Sequence, residues 1–124
     1  MHLHKAVLEN KTYRERWQWL IQGCDPELLV RFTQFHRANP DVFETLRRGA
    51  NVHFSQGWRR SSVRIILNTA RWGPESSPDD EYAFKVNNNY TSLYSRLLIA
   101  TDPKFANWIE VRPMRGQRER WEVG

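Results

Sequence analysis

Cysteine is almost missing from this chain of 124 residues, and the single one, Cys24, closes off several chemistries. One thiol forms no internal disulfide. It completes neither a four-thiolate zinc site nor one of two thiolates and two imidazoles. A lone thiol suits a reducing compartment, so a cytoplasmic setting is expected. Long apolar runs are missing as well, and nothing approaches the ~18 residues of a membrane span. The opening "MHLHKAVLEN" does not read as a secretory signal. The sequons Asn10-Lys11-Thr12 and Asn89-Tyr90-Thr91 are then expected to carry no glycan. There is no phosphate-binding glycine loop, no Gly-x-Ser-x-Gly and no His-Glu-x-x-His. Neither catalysis nor a cofactor is expected.

What the chain does have is aromatic and cationic. Six tryptophans, six phenylalanines and four tyrosines supply a core, and 27% charged residues argue against disorder. The length suits one domain, which buries roughly two-thirds of its unfolded surface. The net charge of +5 and pI near 9.8 draw the protein toward polyanions. Eight basic residues face six acidic ones up to Gly57, and eleven face eight beyond it, so no half carries the charge alone.

Apolar spacing predicts mostly helix. Lys11–Gln22 places Tyr13, Trp17, Leu20 and Ile21 on one face, with Asn10 as a cap and Gly23 as a left-handed stop. Two further starts follow, Asp25-Pro26 and Asn39-Pro40, each with proline in the first turn and an acid after it. They lead into stripes of Leu28, Leu29, Phe32 and Phe35, then of Val42, Phe43, Leu46 and Ala50. "RRSSVRIILNTARW" reads as a fourth helix capped by Ser61 or Ser62. "GPESSPDDE" is a loop, and "YAFKV", Tyr82–Val86, alternates as a short strand would. Another helix, Tyr90–Ala100, buries Leu93, Tyr94, Leu97 and Leu98. "NWIEVRP", Asn107–Pro113, completes a small β-hairpin. The expected layout is an N-terminal helix over 1–24, one domain over 25–113 and a flexible basic tail over 114–124.

The order of these elements predicts a mainly α fold with a small β-hairpin (α+β), similar to a winged helix-turn-helix. The Asn87–Asn89 run at the start of its reading helix has two possible duties. Asparagine makes tight corners by bonding its own backbone. A polar helix start also attracts phosphate, and amides suit base edges. On the second reading Asn88, Asn89, Thr91, Ser92, Ser95 and Arg96 contact a groove or its phosphates. Arg59, Arg60 and Arg64 hold the backbone, and Lys85 and the tail arginines add affinity. On the first reading Arg96 pairs with a carboxylate, and Arg59, Arg60 and Arg64 lie on a solvated helix face, some of them paired with Glu44 or with Asp79–Glu81.

The segments "FHRANPDVFETL", "RRSSVRIILNTARW" and "FKVNNNYTSLYSRLL", in this order, resemble a group of short uncharacterised proteins of bacteriophages and prophages. The resemblance runs from about Phe32 to Arg112. It implies a phage setting in which such proteins are most often DNA-binding regulators or inhibitors of a host system; it implies no catalytic residue.

Other candidates for chemistry are weaker. His2 and His4 stand alone at a terminus. His36 sits where an imidazole can bond a helix-terminal carbonyl. Asp79, Asp80 and Glu81 are neighbours in a loop, whereas a nuclease gathers its metal-binding carboxylates on rigid elements. No metal site is expected. The reading is therefore a small duplex-DNA-binding protein, monomer or homodimer, without a membrane partner. The alternative is a phage-encoded inhibitor that binds a host nuclease or defence complex, in the manner of an anti-CRISPR protein.

Overall fold

The computed structural model describes residues 9, 12–69, 88–112 and 114. Helix α1 spans Tyr13–Ile21. Its cap is Thr12, in place of the expected Asn10: the Thr12 hydroxyl accepts from the Glu15 N–H at 3.1 Å and donates to the Glu15 carboxylate at 2.8 Å. Gly23, at φ 88°, ends the turn after α1 as expected. Helix α2, Pro26–Ala38, is capped by Asp25. Helix α3, Pro40–Ser55, follows after the single residue Asn39. Asn39 offers α3 no side-chain cap and donates its amide back to Phe35 O at 3.0 Å, closing α2.

Gly57, at φ 83°, turns the chain out of α3. Helix α4, Val63–Thr69, is capped by Ser62, whose hydroxyl accepts from Ile65 N–H at 3.1 Å. Helix α5 runs from Asn88 to Thr101, and a 3-10 turn, Pro103–Phe105, follows under an Asp102 cap. The expected loop Gly73–Glu81 and the tail beyond Met114 lie outside the described residues.

Helix α5 is the centre of the core. Every residue from Leu93 to Ala100 is buried, including Arg96 at 0% exposure. Leu20 of α1, Phe32 of α2, Val42 and Leu46 of α3 and Ile66 of α4 pack into the same core. Phe32, Phe35, His36, Phe43, Tyr90 and Tyr94 make an aromatic layer between α2, α3 and α5. There His36 bonds the Tyr94 hydroxyl at 3.4 Å, in place of a helix-end carbonyl. Burial lowers the His36 pKa; burial, Asp41 and Tyr90 raise that of the phenol. Within α3, Gly49 lets α4 approach, since a Cβ there would stand 2.6 Å from Ile66 Cγ2.

The β-hairpin and the winged helix-turn-helix do not form: among the described residues there is no strand. Tyr82–Val86 lies outside the described residues. Asn107–Arg112 is irregular backbone with one isolated parallel bridge, Ser61 to Ile109. Ser61 N–H donates to Trp108 O at 3.1 Å, and Glu110 N–H to Ser61 O at 2.8 Å. The cause is local. Asn107 turns the chain at φ 63°, and the consecutive residues Trp108 and Ile109 are both buried. A strand with one wet face would alternate them. The described part of the fold is mainly helical.

Candidate nucleic-acid interface

Four segments surround an open cleft of about 790 Å³. Asp25, Leu28 and Arg31 come from the start of α2, and Ser62, Val63 and Arg64 from the entrance of α4. Asn89, Thr91, Ser92 and Ser95 come from the first turns of α5, and Glu110, Arg112 and Met114 from the final irregular segment. The packing explains the convergence. Leu28 and Val63 anchor α2 and α4 in the core, and the Ser61 bridge ties the entrance of α4 to the segment carrying Glu110 and Arg112.

The cleft holds three guanidiniums, Arg31, Arg64 and Arg112, and two carboxylates, Asp25 and Glu110. Glu110 accepts from Arg112 Nε at 2.8 Å, an exposed pair that adds little stability. The Asp25 carboxylate caps α2 through Glu27 N–H. Among the described residues the lining thus carries one more guanidinium than carboxylates. Arg59 and Arg60 are not among the lining residues; they are exposed and shortly precede Ser62 of the lining in the chain. Glu44, a proposed partner for them, pairs instead with Arg47 at 3.2 Å. The opening turn of α5 adds the positive end of a helix dipole.

The sequence candidates thus divide. Arg64, Asn89, Thr91, Ser92 and Ser95 meet at the cleft; Ser95 is nearly covered, and its hydroxyl donates to Thr91 O at 3.0 Å. Asn88 is the first residue of α5, and Lys85 and Asn87 lie outside the described residues. Arg96 is a correction. Its guanidinium donates to Leu20 O at 3.2 Å, Ser92 O at 2.8 Å and Arg112 O at 2.7 Å, joining α1, α5 and the final segment. Burial draws its pKa down to about 10, against an opposing pull from Cys24, so it stays charged at neutral pH. It reaches no ligand. The groove-reading role given to α5 goes with it, because a helix buried from Leu93 to Ala100 offers only its first turn.

Sequence reasoning missed Arg31 and the Arg112–Glu110 pair. Arg31 follows Leu28 by three residues on α2, a spacing that sets a cation at the rim of a buried stripe. Cys24 is buried, with its sulfur 3.5 Å from Met114 Sδ. Burial raises its thiol pKa, which Arg96 partly offsets. Among the described residues no group of three His, Cys, Asp or Glu side chains could hold a metal ion, and no helix is long and apolar enough to cross a membrane. Comparison of the chain with protein-family models, curated proteins and solved structures gave no match.

Proposed function

We propose that this protein binds nucleic acid, and that its cleft seats the sugar–phosphate backbone. One observation carries the reading: Arg31, Arg64 and Arg112 converge with the opening turn of α5 on one open cleft, and the exposed Arg59 and Arg60 shortly precede its Ser62 in the chain. Guanidiniums bind phosphate oxygens in a planar, two-pronged geometry, and small amides and hydroxyls at a helix start add hydrogen bonds to the same oxygens. Such contacts fix a strand in place without reading its sequence. The resemblance to phage and prophage proteins makes DNA in a bacterial cell the ligand to try first. Fluorescence anisotropy with labelled duplex DNA and labelled single strands, at low and moderate salt, tests the reading. Binding that weakens steeply with salt is expected. No binding to either at low salt removes the proposal.

A second reading is favoured by a different surface. Val52 and Phe54 are 47% and 37% exposed toward the end of α3, and Lys104 Nζ stands 5.2 Å from the Phe54 ring centroid. Aromatic and cationic side chains of this kind dominate protein–protein contacts, as an inhibitor of a host nuclease or defence complex requires. A stoichiometric host protein retained after nuclease treatment of a lysate, and lost in a Phe54→Ser variant, would support it.

A further inference from the structure

Trp58 is a large, partly exposed side chain whose ring and backbone are both in contact with neighbouring residues. Its indole lies flat on the His53 imidazole, with ring centres 3.8 Å apart and planes within 1°. His53 Nδ1 is 3.2 Å from the Ser61 hydroxyl, and the Ser61 backbone is tied on both sides to the Trp108–Glu110 segment. Trp58 N–H donates to His53 O at 3.1 Å, and Trp58 O accepts from Trp108 Nε1 at 2.7 Å. The imidazole closes one face of the ring, and Trp58 as a whole remains 40% exposed.

A single exposed tryptophan is ordinary. This one is clamped, and the next two residues are the exposed Arg59 and Arg60. From Trp58 to the Ser62 rim of the cleft the chain spans at most about 14 Å. A flat apolar ring beside guanidiniums matches a polymer that offers flat apolar faces and phosphates together. Unpaired bases do so, whereas the bases of a duplex cover one another's faces. We infer that the ligand is single-stranded nucleic acid, one base stacking on Trp58 while its neighbouring phosphates lie on Arg59, Arg60 and the cleft. The inference rests on the nucleic-acid reading above and narrows it to unpaired strands. The positive charge next to the ring favours this polyanion over an apolar protein surface.

The test compares a labelled oligothymidine with a hairpin duplex of equal length, in low salt, on the full chain and on Trp58→Ala, Trp58→Leu and Trp58→Phe. The single strand should bind more tightly than the duplex. Trp58→Ala and Trp58→Leu should each weaken single-strand binding about 5- to 100-fold and leave duplex binding unchanged, while Trp58→Phe keeps most of the affinity. Leucine fills the space without a π-face, so it separates stacking from packing should alanine unfold the protein. Equal affinity for both ligands, or a leucine variant that binds the single strand like the parent, overturns the inference and leaves the phosphate reading standing. Failure of the parent chain to bind either ligand overturns both.

Discussion

At the scale of single residues, Arg96 decides most. Four residues after Ser92 on a helix otherwise rich in leucine, it looks in the sequence like a surface cation. In the fold it is a fully buried clamp on three carbonyls from three segments. Nothing in its local pattern announces this, because Leu20 O and Arg112 O are distant in sequence and only the packing of α1 on α5 brings them near. Arg96→Ala leaves buried acceptors unmet and opens a cavity. The expected loss is about 3–5 kcal/mol, read as a lower urea midpoint at unchanged slope. Arg96→Lys should fall between, since one ammonium does not span the same fork. A wild-type midpoint for the alanine variant would mean that the side chain is not a clamp. Two histidines carry a second prediction. Burial lowers the pKa of His36 and of His53 below their ordinary value of about 6.5. Between the folded and unfolded values the unfolded chain binds more protons, so stability present above about pH 6.5 is lost as pH falls through the folded values. Melting temperature should drop between pH 7 and pH 5, and a His36→Phe, His53→Gln double variant should show a smaller drop.

At the scale of elements, the helices were legible where a start signal and an apolar stripe agreed. Asp25-Pro26 opens α2, Asn39-Pro40 marks the break before α3, and Leu93, Leu97 and Leu98 are buried on α5 as spacing predicts. The wing was misread because "NWIEVRP" has strand-like residues, whereas its backbone is set by the left-handed Asn107 and by pairing with one residue, Ser61. Short apolar runs do not separate a strand from a packed irregular segment. The cleft was half legible. Asn89, Thr91 and Ser92 stand out as a polar helix start, but Arg31 and Arg112 join them only through the tertiary arrangement. Gly49 shows the same limit. Inside α3 it looks like a helix weakness of about 1 kcal/mol, yet a Cβ there would meet Ile66 of α4 at 2.6 Å. Gly49→Ala should therefore destabilise, by about 1–3 kcal/mol from overpacking net of its propensity gain. Ile66→Leu removes the offending Cγ2 methyl, so the double variant should be more stable than the two single losses add up to. Strict additivity in chemical denaturation would show that the α3–α4 contact is not the reason for the glycine.

At the scale of the whole molecule, the charge of +5 matters less than its placement. Among the described lining residues Asp25 and Glu110 offset two of the three guanidiniums, and the exposed Arg59 and Arg60, shortly before Ser62 in the chain, add to the charge that a polyanion would meet. That arrangement fixes how binding must respond to salt. Each phosphate neutralised releases about 0.7 of a condensed counterion from a single strand and about 0.9 from a duplex. If Arg31, Arg59, Arg60 and Arg64 each hold one phosphate and Arg112 stays with Glu110, a plot of log affinity against log salt should slope at about −3 for a single strand. Affinity would then fall roughly 50-fold or more between 50 and 200 mM salt. Arg64→Gln and Arg60→Gln should each make the slope shallower by about 0.7, whereas Arg47→Gln, outside the cleft lining and paired with Glu44, should leave it unchanged. Trp58→Leu should lower the affinity at every salt concentration and keep the slope, because stacking releases no ions. Equal slopes for the Arg64, Arg60 and Arg47 variants would mean that any binding reflects the overall charge of the molecule and that the cleft holds no strand.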